Sequence, residues 1–155
     1  MSDYKYPTTE ITVHLDDVFN NLDNLPVEDA TITIPDSYVT YTGYNNVTIH
    51  DDTKPPTIKI LGKLGDVIQF VVIPEMYNNK EVEFEYFTDI DLIEDSDGVA
   101  KNIDQYKIKQ FTDKCTEKDI TMSIKCFDKD GKEWTISWDP IIDVGDVPPP
   151  PPPNH

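Results

Sequence analysis

Arginine is missing from this chain. All 13 basic residues are lysine, set against 30 Asp and Glu, for a formal charge of −17. Such a balance repels nucleic acid phosphates and anionic membrane surfaces. The missing guanidinium also removes the side chain best suited to bidentate phosphate binding. Only two cysteines are present, Cys115 and Cys126, too few for a disulfide scaffold. Cys126 lies in the inward register of a strand-like run, which predicts a buried free thiol. No apolar run approaches the roughly 20 residues needed to cross a bilayer as a helix. The opening MSDYKYPTTE has no apolar signal core, so a cytoplasmic address is expected. Long helical stripes and fixed-period repeats are missing as well.

Alternation of period two is what the sequence has instead. Ile120, Met122, Ile124 and Cys126 alternate with Thr121, Ser123, Lys125 and Phe127, and Trp134, Ile136 and Trp138 alternate with Thr135, Ser137 and Asp139. Successive strand side chains point to opposite faces, so each run has one apolar face. Asp128-Lys129-Asp130-Gly131 between them supplies turn residues. This predicts a hairpin carrying both tryptophans, with the last core strand ending at Trp138-Asp139-Pro140.

Further strands are expected at 11–15, 30–34, 58–60, 67–73, 81–87 and 106–108. Residues 38–42 and 47–50 flank Gly43-Tyr44-Asn45-Asn46 and read as a second hairpin. Asp17–Asp29 reads as a loop with a short helix at most, stopped by Pro26. The run VIQFVVI, closed by Pro74, is apolar on both faces, the mark of a central or doubly covered strand. The pattern predicts an all-β fold, an antiparallel β-sandwich of jelly-roll or immunoglobulin-like type with little helix. Residues 1–147 form one domain in this reading. Pro148–Pro153, followed by Asn154 and His155, forms a polyproline II tail projecting from it.

Candidate sites are few. The acidic stretch TDIDLIEDSDG offers Asp89, Asp91, Glu94, Asp95 and Asp97 to calcium. Aligned on Gly98, however, the helix-loop-helix calcium pattern has Ile93 in its first ligand place, so a solvated acidic loop is the plainer reading. Alignment on Gly131 puts Cys126 in that place and fails in the same way, which makes Asp128 and Asp130 turn formers. His14 and His50 lack the converging partners of a transition-metal site. There is no Gly-x-Ser-x-Gly elbow, no Cys–His signature, no phosphate loop and no cofactor motif. With 30 acidic residues, any proposed carboxylate pair carries little information. Tyr38, Tyr41 and Tyr44 around the second hairpin are candidates for stacking on a small glycan, against a plainer role in packing. The proline run is either an unstructured end or a ligand for a partner's aromatic groove.

Phe127-Asp128-Lys129-Asp130-Gly131, Trp138-Asp139-Pro140 and Ile141-Ile142-Asp143-Val144 resemble the C-terminal end of the PixA/AidA family of inclusion-body proteins. Lys63-Leu64-Gly65-Asp66-Val67-Ile68-Gln69-Phe70 resembles that family's Gly-Asp-Val/Ile strand entry, and Ile11–Asp16 its opening strand. The chain departs from the family in its acidity, its few methionines and its proline run, which puts assembly behaviour in question more than fold. The resemblance implies a bacterial, cytoplasmic β-sandwich protein that accumulates in inclusions, with no established catalysis and no catalytic residues to carry over. A non-enzymatic protein that self-associates is therefore expected. A carbohydrate-binding module using exposed tyrosines is the alternative.

Overall fold

The computed structural model describes residues 4–50, 56–75, 83–87, 93–95, 103–109, 118–119, 121–128 and 130–146. The chain opens with β1 (Thr8–His14), the short helix α1 (Leu15–Asn20), β2 (Val27–Glu28), β3 (Thr31–Thr33), β4 (Val39–Tyr44) and β5 (Val47–His50). It continues with β6 (Thr57–Gly62), β7 (Val67–Glu75), β8 (Glu83–Phe87), β9 (Ile93–Asp95) and β10 (Ile103–Ile108). The last elements are β11 (Lys118–Asp119), β12 (Met122–Phe127), β13 (Glu133–Trp138) and β14 (Ile141–Asp146). Among the described residues no helix is long and apolar enough to cross a membrane.

These strands form three sheets, ordered β4-β1-β7-β10-β9, β11-β14-β6-β5 and β2-β3-β13-β12-β8. The all-β class holds, but the purely antiparallel arrangement does not. β1 runs parallel to β7, β3 to β13 and β6 to β14, so each sheet is mixed. Parallel neighbours need a long crossover, and each pair here is separated by much intervening chain. Alternation along one strand is blind to that choice, because it fixes the face and not the neighbour.

The tryptophan hairpin forms as expected, with Met122 opposite Trp138, Ile124 opposite Ile136 and Cys126 opposite Trp134. It lies inside its sheet, flanked by β3 and β8, rather than closing the fold. Nor does the core end at Trp138-Asp139-Pro140. The chain crosses there into β14, whose Ile142 and Val144 are fully buried in the second sheet. β7 is the central strand of the first sheet, as its two apolar faces predict. It runs through Pro74, which lies opposite Val13, instead of stopping there.

The second predicted hairpin is a corner. Asn45 and Asn46 turn the chain with φ of 54° and 72°. β4 then pairs with β1 in the first sheet while β5 pairs with β6 in the second. One hydrophobic cluster gathers side chains from all three sheets, including Ile11, Phe70, Ile58, Val144, Ile136 and Trp138, with α1 adding Leu15 and Val18.

β2 and β3 are joined by Asp29 and Ala30, both left-handed with φ of 50° and 63°. Asp tolerates that region, but an alanine Cβ there costs roughly 1–2 kcal/mol. The Ala30 carbonyl accepts the Thr135 N–H at 2.9 Å, which ties this turn to β13. Ala30→Gly should raise the unfolding free energy by about 0.5–1 kcal/mol after glycine's own entropy cost. The check is a higher urea midpoint at unchanged slope. A lower midpoint would mean that the turn is not left-handed.

Candidate functional site

One end of the fold collects several chain segments. β1 begins there, with Thr8 opposite both Tyr44 at the end of β4 and Gln69 near the start of β7. The 63–66 turn is close by, since the Gly65 N–H donates to the Ile108 carbonyl and the Ile108 N–H to that of Asp66. β14 ends at the same place, with Asp146 opposite Gly62.

A tyrosine pair marks the surface at this end. The rings of Tyr4 and Tyr44 meet edge to face, 5.2 Å between centroids and 61° between planes. Both hydroxyls donate to the Glu10 carboxylate, Tyr4 to Oε2 and Tyr44 to Oε1, the latter at 3.1 Å. The strand register explains the meeting. Glu10 lies opposite Thr42, so the side chains of Glu10 and Tyr44 share the face away from Ile11 and Tyr41. The carboxylate holds the Tyr44 hydroxyl pKa above its ordinary value, because it accepts that proton. The Asn45 side-chain amide donates to the carbonyls of Tyr4 and Tyr6, fastening the segment before β1 over the corner. Lys5 places its ammonium 5.5 Å from the centre of the Tyr6 ring.

A polar relay crosses the same sheet. Gln105 donates to Gln69 at 3.1 Å, Gln69 to the Thr8 hydroxyl at 3.1 Å, and Thr8 to the Tyr6 carbonyl at 2.8 Å. Gln69, the one polar residue in VIQFVVI, is thereby satisfied although nearly buried.

A second cluster forms at the β12–β13 turn. Asp128 Oδ1 accepts the backbone N–H groups of Asp130 and Lys132, each at 2.9 Å, and Oδ2 accepts the Trp134 indole N–H at 2.9 Å. Gly131 supplies the positive φ of 82° that the turn requires. Lys132 sits 4.2 Å from the centre of the Trp134 ring. The indole bond is the main reason that the Asp128 carboxyl lies below its ordinary pKa, with the two backbone donors and Lys132 assisting. Asp128 is therefore a turn former here. Cys126 is buried, and burial first, then the Asp128 charge, pushes its thiol up to about 12. At neutral pH it stays protonated and unreactive.

Asp128→Ala should cost about 1–2 kcal/mol at pH 7, three charge-assisted bonds being discounted for partial exposure. A carboxyl whose folded pKa is depressed stabilises the fold above its unfolded value of 3.8, and that stabilisation fades as pH falls through the folded value. The gap between wild type and variant should therefore close in acid. Urea titrations at neutral and acid pH measure it, and a gap independent of pH would remove the carboxylate from the account.

The three candidate tyrosines do not share a surface. Tyr41 is in the core, 8% exposed, and Tyr38 packs half-buried against it. Tyr44 is on the opposite face of β4, with Tyr4 and Glu10. Burial raises the Tyr41 hydroxyl pKa, and the nearby Trp138 indole partly opposes this without reaching hydrogen-bond geometry. A shallow groove of about 450 Å³ at the β2–β3 edge is lined, among the described residues, by Pro26, Val27, Glu28, Asp29, Thr31 and Thr33, none of them an aromatic ring on which a sugar could stack.

Of the acidic candidates, Asp89, Asp91 and Asp97 lie outside the described residues. The backbones of Glu94 and Asp95 pair, in β9, with Lys107 and Tyr106. Cys115, Asp51, Asp52 and the proline run also lie outside them. His14 bonds the Thr40 hydroxyl at 2.8 Å, while His50 is exposed at the end of β5. Among the described residues no group of three His, Cys, Asp or Glu is placed to hold a metal.

Tyr4 and Glu10 do not stand out in the sequence, and Asn45 does so only as a turn residue. Alternation puts Glu10 on the polar face of β1, but its meeting with Tyr44, 34 positions away, depends on the β1–β4 register.

No protein-family model matches the chain, and no curated protein sequence matches it either. The fold is similar to the crystal structure of an inclusion body protein (PixA) from Burkholderia cenocepacia J2315, with a TM-score of 0.58. The likeness covers 93% of this chain and 99% of that one at 8% identity. It is a likeness of fold.

Proposed function

We propose that this chain is a non-enzymatic β protein that acts by accumulating or self-associating in the cytoplasm, as an inclusion-body protein would. The observation that carries the reading is the fold likeness to an inclusion body protein over nearly the full length of both chains. The single cluster drawing on all three sheets supports packing of those sheets as a β-sandwich.

Charge decides when association can occur. At −17 and neutral pH, copies repel one another. Salt screens that repulsion, and protonation of carboxylates toward about pH 4 removes it. Light scattering of the full chain should show mass rising as salt increases and as pH falls. A strict monomer under all those conditions, at high protein concentration, would overturn the reading.

A further inference from the structure

The tyrosine pair and the course of β14 together raise a question about the proline run. Asp146, the last described residue, pairs with Gly62, and the preceding Leu61 donates its N–H to the Asn46 carbonyl at 3.0 Å. Asn46 adjoins Asn45, which is fastened to Tyr4 and Tyr6. The chain thus leaves the second sheet beside the corner that carries the Tyr4–Tyr44 pair. Adjacent strands are about 4.8 Å apart, so only a few strand spacings separate the exit from the rings. A six-proline segment in polyproline II extends roughly 19 Å, enough to span that path.

We propose that the Tyr4–Tyr44 surface is a docking site for the Pro148–Pro153 run of the same chain. Tyrosine faces are the usual partners of polyproline II, whose preformed backbone loses little entropy on binding. The rings are set in advance, since Glu10 holds both hydroxyls, which lowers the ordering cost further. Charge favours this occupant. The chain carries 30 acidic residues, and an acidic segment approaching Glu10 would be repelled, whereas the six prolines carry no charge. Leu64, 60% exposed in the turn two residues beyond Gly62, adds apolar surface next to the exit. The short tether sets an effective concentration on the order of millimolar, which selects the chain's own run over one from a second copy.

The test compares amide NMR spectra of the full chain with those of a full-length variant in which Pro148–Pro153 are all replaced by serine. The expected result is shifts at Tyr4, Tyr44 and Asn45, with the rest of the fold unchanged. Added hexaproline peptide should return the variant's signals toward their wild-type positions. Tyr44→Ala should lose that response, and Tyr44→Phe, which keeps the ring, should retain it. Coincident spectra at these three residues would overturn the proposal. So would differences that fade on dilution, which would assign the run to a second copy, or a peptide response located elsewhere.

Discussion

Trp138→Ala is expected to lower the unfolding free energy by about 3–5 kcal/mol. The side chain is 1% exposed and is among the largest fully buried groups of the chain. It ends β13 opposite Met122, at the point where the chain crosses from the third sheet to the second. Truncation opens a cavity where two sheets share one core, and packing on both sides limits how far the walls can collapse. Among the described residues its buried indole N–H has no hydrogen-bond partner, so the loss is one of packing. Trp138→Phe should therefore cost much less, about 1–2 kcal/mol, because it keeps most of the volume and discards the unmatched polar group. Urea unfolding of the two variants makes the comparison. A loss below about 1 kcal/mol for the alanine variant would put Trp138 at the surface and the β13 register in error.

Gly43→Ala should be nearly as damaging, by about 3 kcal/mol, although it adds a single methyl group. A Cβ at Gly43 would lie 2.2 Å from the Val47 carbonyl oxygen and 2.6 Å from its carbonyl carbon. Those are backbone atoms of the strand beyond the corner, so no rotamer change relieves the contact. The corner would have to open, which would strain the β5–β6 ladder and the Asn45 fastening together. Gly65→Ala is the control. Space there is open, and only the positive φ of 88° opposes the side chain, at roughly 1–2 kcal/mol. A loss at Gly43 no larger than that at Gly65 would show that a small backbone shift relieves the close approach at the corner.

Residues around this corner show how far local pattern reaches. Gly43-Tyr44-Asn45-Asn46 announces a turn, and the turn is there, because left-handed φ at asparagine is a local property. That its two arms enter different sheets is a matter of what lies beside each arm. The tyrosines divide in the same way. Tyr41 and Tyr44, three positions apart, have to face opposite sides of β4, a constraint that the sequence already contains. Which side is core is decided by pairing: Ile11 and Val13 of β1, both fully buried, lie opposite Tyr41 and Val39 in the same sheet.

The sequence by itself determined the β class, the tryptophan hairpin with Asp128 and Gly131 at its turn, and the burial of Met122, Ile124, Cys126, Trp134, Ile136 and Trp138. Each of these follows from period-two geometry and turn chemistry within a few neighbouring residues. Only the tertiary structure decided the parallel pairings of β1 with β7, β3 with β13 and β6 with β14. It alone passed the core on from Trp138 to Ile142 and Val144, and it alone brought Glu10 to Tyr4 and Tyr44 beside the end of β14. Those contacts join residues far apart in the chain, and a strand's edge offers the same N–H and C=O groups to any neighbour. The partner is then selected by how well the whole core packs, which no local stretch encodes.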